Sequence, residues 1–94
     1  MISYKSYMLK KYLKKNSIYG DLANDINIDK EFPSYKLFRS LYRYLLMKRA
    51  CNGAIVAFLQ SYIKYIDDCS EHFYSSEERE DIHKYVKKII KDSK

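Results

Sequence analysis

The 94-residue chain holds only two glycines, one proline and no tryptophan. So few backbone breakers favour long helices joined by short turns over a sandwich of many strands. Cysteine is also scarce. Cys51 and Cys69 show neither a CxxC spacing nor the density of a disulfide framework, and they read as reduced, small hydrophobes. With His72 and His83 the only histidines, a metal site would have to draw two Cys and two His from separate elements, so no metal is expected. No charged stretch followed by an apolar one opens the chain, and no apolar run approaches the ~20 residues of a membrane span. The expectation is a cytoplasmic protein without membrane contact. A P-loop, a GxSxG elbow and an HExxH helix are all missing, so no catalytic residue, cofactor or small-molecule substrate is nominated, and the chain is not expected to be an enzyme. The histidines read as surface groups beside acids rather than general bases. Asp67, Asp68 and the Glu77, Glu78, Glu80, Asp81 cluster lack a glycine-bearing loop of alternating oxygen ligands, and they read as a solvated loop and helix start.

What is present is apolar and aromatic. Hydrophobic residues are 47% of the chain and include 11 Tyr and 4 Phe, enough for one core in a chain that removes about two-thirds of its surface from water on folding. Ser3 is a candidate N-cap, and Tyr4, Tyr7, Met8, Tyr12 and Leu13 recur at helical spacing, which predicts a helix over 4–15. Leu22, Ala23 and Ile26 mark a second over about 18–29, ending before Phe32 and Pro33. Ser34 is the candidate cap of a third, about 35–49, with Leu37, Phe38, Leu41, Leu45 and Leu46 as its buried stripe. Asn52 is the candidate cap of a fourth, about 53–67, whose Ile55, Phe58, Leu59, Tyr62, Ile63 and Ile66 make it the central pillar. Ser75 with Glu78 three residues on is a capping-box signature for a fifth helix over about 76–91, with a narrow apolar face of Ile82, Tyr85, Val86, Ile89 and Ile90. No repeat or low-complexity linker divides these segments. The reading is a single all-α domain over 1–94.

Residues 17–33 read SIYGDLANDINIDKEFP. Together with the opening Tyr4, Tyr7, Met8 and Leu9, the Gly20-Asp21-Leu22-Ala23-x-Asp25-Ile26 run, the Asp29-x-x-Phe32-Pro33 turn and a following helix ending near Tyr44 and Leu45, this stretch resembles the YozE-like family of small bacterial proteins. The resemblance covers about residues 1–66. It implies a compact SAM-like four-helix core and brings no catalytic residue with it. Phe32 would plug the bundle. The chain departs from the family pattern in its basic third helix and in the additional helix at 76–91.

Charge is segregated along the chain, whose net charge is +6. Residues 1–16 and 33–50 carry five cations each and no acid, whereas 67–83 hold seven acids against Arg79. Lys36, Arg39 and Arg43 fall on one helical face, flanked by Tyr42 and Tyr44, while Lys10 with Lys14 and Lys11 with Lys15 would give the first helix a second basic edge. Arginine forks grip phosphates and tyrosine rings can stack unpaired bases, so Lys36, Arg39, Arg43, Lys10, Lys14, Tyr42 and Tyr44 are the candidate nucleic-acid-binding residues. They would serve an accessory component of a nucleic-acid-handling complex, DNA-binding or otherwise, if the two basic edges adjoin. The alternative is an adaptor or inhibitor, of the size mobile elements encode, that binds a larger protein through exposed tyrosines and the fifth helix. A composition rich in Lys, Ile, Tyr and Asn is also what an A/T-rich genome produces.

Overall fold

A computed structural model describes residues 2–34, 37–69 and 74–92, which form five helices and, among these residues, no strand. The first helix, α1 (Tyr4–Tyr12), starts where Ser3 Oγ accepts the Ser6 N–H at 3.1 Å. It ends three residues before the spacing predicts, because Lys14 takes a left-handed φ of 68° and turns the chain away. Lys14 and Lys15 therefore lie off the helix. The next helix, α2 (Ile18–Ile28), is capped by Ser17, whose Oγ accepts the Gly20 N–H at 3.1 Å. Gly20 must lack a side chain, since a β-carbon there would overlap the Lys15 carbonyl oxygen. The turn after α2 is built by Asp29, whose Oδ1 accepts from Glu31 N–H and whose carbonyl accepts from Phe32 N–H at 3.1 Å. Phe32 is thereby driven into the core, as the resemblance implies.

The third helix, α3 (Phe38–Met47), begins later than predicted, and Ser34 is not its cap. Leu37 holds the cap position without a side-chain hydrogen bond; the Phe38 N–H instead donates to the hydroxyl of Tyr74 at 2.9 Å. Its buried face is Phe38, Leu41 and Leu45. Leu37 and Leu46, expected in that stripe, are 58% and 51% exposed; Leu46 is rotated about 100° from Leu45 around the axis. At its end Ala50 N–H donates to Leu45 C=O and Arg49 N–H to Leu46 C=O, both at 3.1 Å, with Arg49 at a φ of 58°. This is a Schellman closure with arginine where glycine is usual.

The fourth helix, α4 (Asn52–Asp68), includes Asn52 in its first turn, so Cys51 rather than Asn52 is at the cap. It packs against each of the other four helices and is the pillar its apolar pattern predicts. Ala57, Phe58, Leu59, Ser61, Tyr62, Tyr65 and Ile66 are its buried residues. The last helix, α5 (Ser76–Asp92), opens with the predicted capping box: Ser75 N–H donates to Glu78 Oε1 at 3.0 Å and Glu78 N–H to Ser75 Oγ at 3.1 Å. It lies on α4 through buried Val86 and partly buried Ile82, Ile89 and Ile90. His83 Nε2 meets Asp67 Oδ1 at 2.9 Å, which gives that histidine a structural partner.

The tyrosines explain how so aromatic a chain stays specific. Tyr4, Tyr7, Tyr62 and Tyr65 are buried, and the Tyr4 ring packs within 5.7 Å of Phe58, Tyr62 and Tyr65. Each buried hydroxyl has a partner. Tyr4 bonds Ser61 at 2.7 Å, Tyr7 donates to Asp68 at 2.7 Å, Tyr65 donates to the Ile2 carbonyl at 2.7 Å, and Tyr62 meets Tyr74 at 2.9 Å. A phenol thus supplies apolar area and a directional bond together, and a mismatched register would strand its hydroxyl.

Candidate nucleic-acid interface

The outward face of α3 carries Arg39 and Arg43 one turn apart, followed by Leu46 and Met47 at i+7 and i+8 from Arg39. All four are exposed, Met47 to 76%. Among the described residues neither arginine is in an ion pair. The Arg39 guanidinium lies 5.4 Å from the centre of the Tyr85 ring of α5. Lys36, the first residue of the predicted basic row, falls outside the described residues.

The tyrosines that flank this row are employed in holding it. Tyr42 is half-buried and stacks on Phe38 and Phe58, with ring centres 6.1 and 6.4 Å away. Tyr44 donates to Asp29 Oδ2 at 2.6 Å and sets its ring edge-on to Phe32. The Tyr44 bond, helped by the Glu31 N–H, holds the Asp29 carboxyl below its usual range, while burial and the same carboxylate push the Tyr44 phenol up. Both rings, each half-buried, fasten α3 to its neighbours, a packing role that their place beside the arginines in the sequence does not suggest.

The second basic edge is also altered. Lys10 is exposed in the last turn of α1, but Lys14 has left the helix, so the two do not form a row. Lys11 Nζ is 3.1 Å from both Asp68 Oδ2 and the Tyr7 hydroxyl. Bonds from Tyr7 and Lys11 depress the Asp68 carboxyl, and the bonds to the Tyr7 hydroxyl and to Asp68 raise the Lys11 ammonium. Asp68 sits at the C-terminal end of α4, where a carboxylate opposes the helix dipole, and Lys11 offsets that conflict. The main packing of the two edges is through α4: α1 packs on α2 and α4, and α3 on α4.

Position along the chain hides one arrangement that the fold creates. Glu78 and Asp81 of α5 line a groove of about 260 Å³ with Arg39 and Tyr85. The acidic start of α5 therefore faces the start of basic α3. The opposite charge of segments 33–50 and 67–83 is the sequence signal for this proximity. Arg43, a turn further along, does not line that groove.

No described helix is long and apolar enough to cross a membrane. The family model described as YozE SAM-like fold matches residues 3–67, which takes in α1, α2, α3 and all but the last residue of α4 and leaves α5 beyond it. No curated protein and no solved structure matches the chain. With more than half of its length matched, and five helices where the family fold is helical, the chain belongs to the YozE SAM-like fold family.

Proposed function

We propose that the protein is a non-enzymatic binding module whose α3 outer face contacts nucleic-acid phosphates, within a larger nucleic-acid-handling assembly. The observation that carries this reading is the pair Arg39 and Arg43, exposed one turn apart with no carboxylate partner among the described residues. Arg49 supports it. Just past the end of α3 it is exposed and in no ion pair among the described residues, which adds a third cation near that face. Lys36, a turn before Arg39 in the sequence, would extend the row.

Anisotropy of labelled single- and double-stranded oligonucleotides, titrated across a salt series, tests the reading. Native affinity should fall steeply with salt, and Arg39→Ala with Arg43→Ala should flatten that slope by about one unit per lost phosphate contact while leaving the melting temperature nearly unchanged. Absence of salt-sensitive binding at low ionic strength would sink it. A second reading rests on Leu46 and Met47, which place large apolar side chains beside the arginines, a mixture more typical of a protein-docking face. Nuclease-resistant capture of a host protein, lost in Leu46→Ser with Met47→Ser, would favour it.

A further inference from the structure

Asp21, Asp25 and Asp29 recur every fourth residue and so follow one edge of α2, a helix with no basic residue in a chain of net charge +6. That edge borders a groove whose opposite wall is the entry to α4. Two adjoining depressions of about 240 and 150 Å³ compose it and share Leu22, Asp25, Cys51 and Ala54. At the Asp29 end the charges are settled internally, with Tyr44 on Asp29 and Lys48 on Glu31 at 3.2 Å. At the other end Asp21 and Asp25 are exposed and enter no ion pair among the described residues, and Ile18 beside them is 48% exposed. Gly53 keeps this end open: a β-carbon there would meet only Cys51 Sγ, at 4.0 Å.

We infer that this groove receives a cationic amphipathic helix from a partner protein, about as long as the 11-residue α2. Its apolar stripe lies on exposed Ile18 and half-buried Ala54, over the buried Leu22, and its lysines or arginines pair with Asp21 and Asp25. Three features select that occupant. At the Asp21 end the apolar floor has an acidic rim with no cation in the lining, which disfavours nucleic acid and acidic peptides alike. The walls are helices, so no sheet edge is offered to an extended peptide. The occupant must therefore satisfy its own backbone, which a helix does.

The test uses the full chain and a labelled leucine/lysine amphipathic peptide of about 14 residues, roughly four turns, with a leucine/glutamate twin as control. The lysine peptide should bind and the glutamate peptide should not. Asp21→Asn with Asp25→Asn should weaken binding about tenfold, the effect of two rim charge pairs, and make it less salt-sensitive. Gly53→Gln should block the groove without lowering the melting temperature, because glutamine is the better helix former. Nucleic-acid affinity should be unchanged in Gly53→Gln, which separates this surface from the α3 face. The proposal fails if the lysine peptide does not bind, or binds both variants as it binds the native chain. It also fails if the peptide-free chain forms a dimer that Gly53→Gln disrupts, since the occupant is then a second copy.

Discussion

At the scale of single residues, the buried pair Tyr4 and Ser61 shows how this core uses polarity. Ser61 Oγ bonds the Tyr4 hydroxyl and also donates to the Phe58 carbonyl at 3.1 Å, and neither residue is more than 2% exposed. Ser61→Ala strands a phenol hydroxyl away from water and should cost about 1–3 kcal/mol. Tyr4→Phe in addition removes the stranded group, so the double variant should recover part of that loss in denaturant unfolding. Additive costs would mean that the bond contributes nothing. The helical periodicity marks Tyr4 as a core residue, but nothing in it pairs Tyr4 with a serine 57 positions away. Likewise Tyr44 is adjacent in sequence to the arginine row and so suggests a stacking platform, whereas its hydroxyl is committed to Asp29. Side-chain partners across helices are set by packing angles, which a one-dimensional pattern does not contain.

At the scale of elements, all five helices are legible from spacing, and the capping box at Ser75 and Glu78 is fulfilled bond for bond. The start of α3 is not, because its first N–H is served from outside by Tyr74 rather than by the local Ser34. Its end is closed by Arg49 in the left-handed region, which costs an L-residue roughly 1–2 kcal/mol relative to glycine. Arg49→Gly gives some of this back through a looser unfolded chain, for a net gain of about 1 kcal/mol, and should raise the melting temperature by about 4–8 °C. If the same variant weakens oligonucleotide binding, stability and function are opposed at this one position. An unchanged or lowered melting temperature would show that Arg49 makes a compensating contact.

At the scale of the whole molecule, the tyrosine-rich core sets the range of pH over which the protein is stable. Burial holds Tyr4, Tyr62 and Tyr65 protonated far above their ordinary value of 10.0. The unfolded chain releases those protons near pH 10 and the folded chain does not. Stability is therefore intact below that value and falls as pH rises beyond it. Asp29 and Asp68 work in the opposite sense: their carboxyls are depressed from 3.8, so what they contribute is present above that value and lost as pH falls below it. Both are solvent-accessible, so the acid limb should be the shallower one. Thermal melts from pH 3 to 11 should give a plateau with a steep alkaline edge, and ultraviolet titration should show a set of tyrosines that ionise only on unfolding. Gradual ionisation of all tyrosines in a still-folded chain would contradict the buried assignments.

The bond from Phe38 N–H to Tyr74 has a consequence in time. Its partners are 36 residues apart, and the later one lies outside the matched span of 3–67. At a synthesis rate of about 5–20 residues per second, the opening turn of α3 would wait roughly 2–7 s for its hydroxyl to be made. A nascent chain arrested before Tyr74 holds the sequence of the family core with one helix end still open to water. Proteolysis of staged arrest products should find that end accessible until Tyr74 has emerged and protected afterwards.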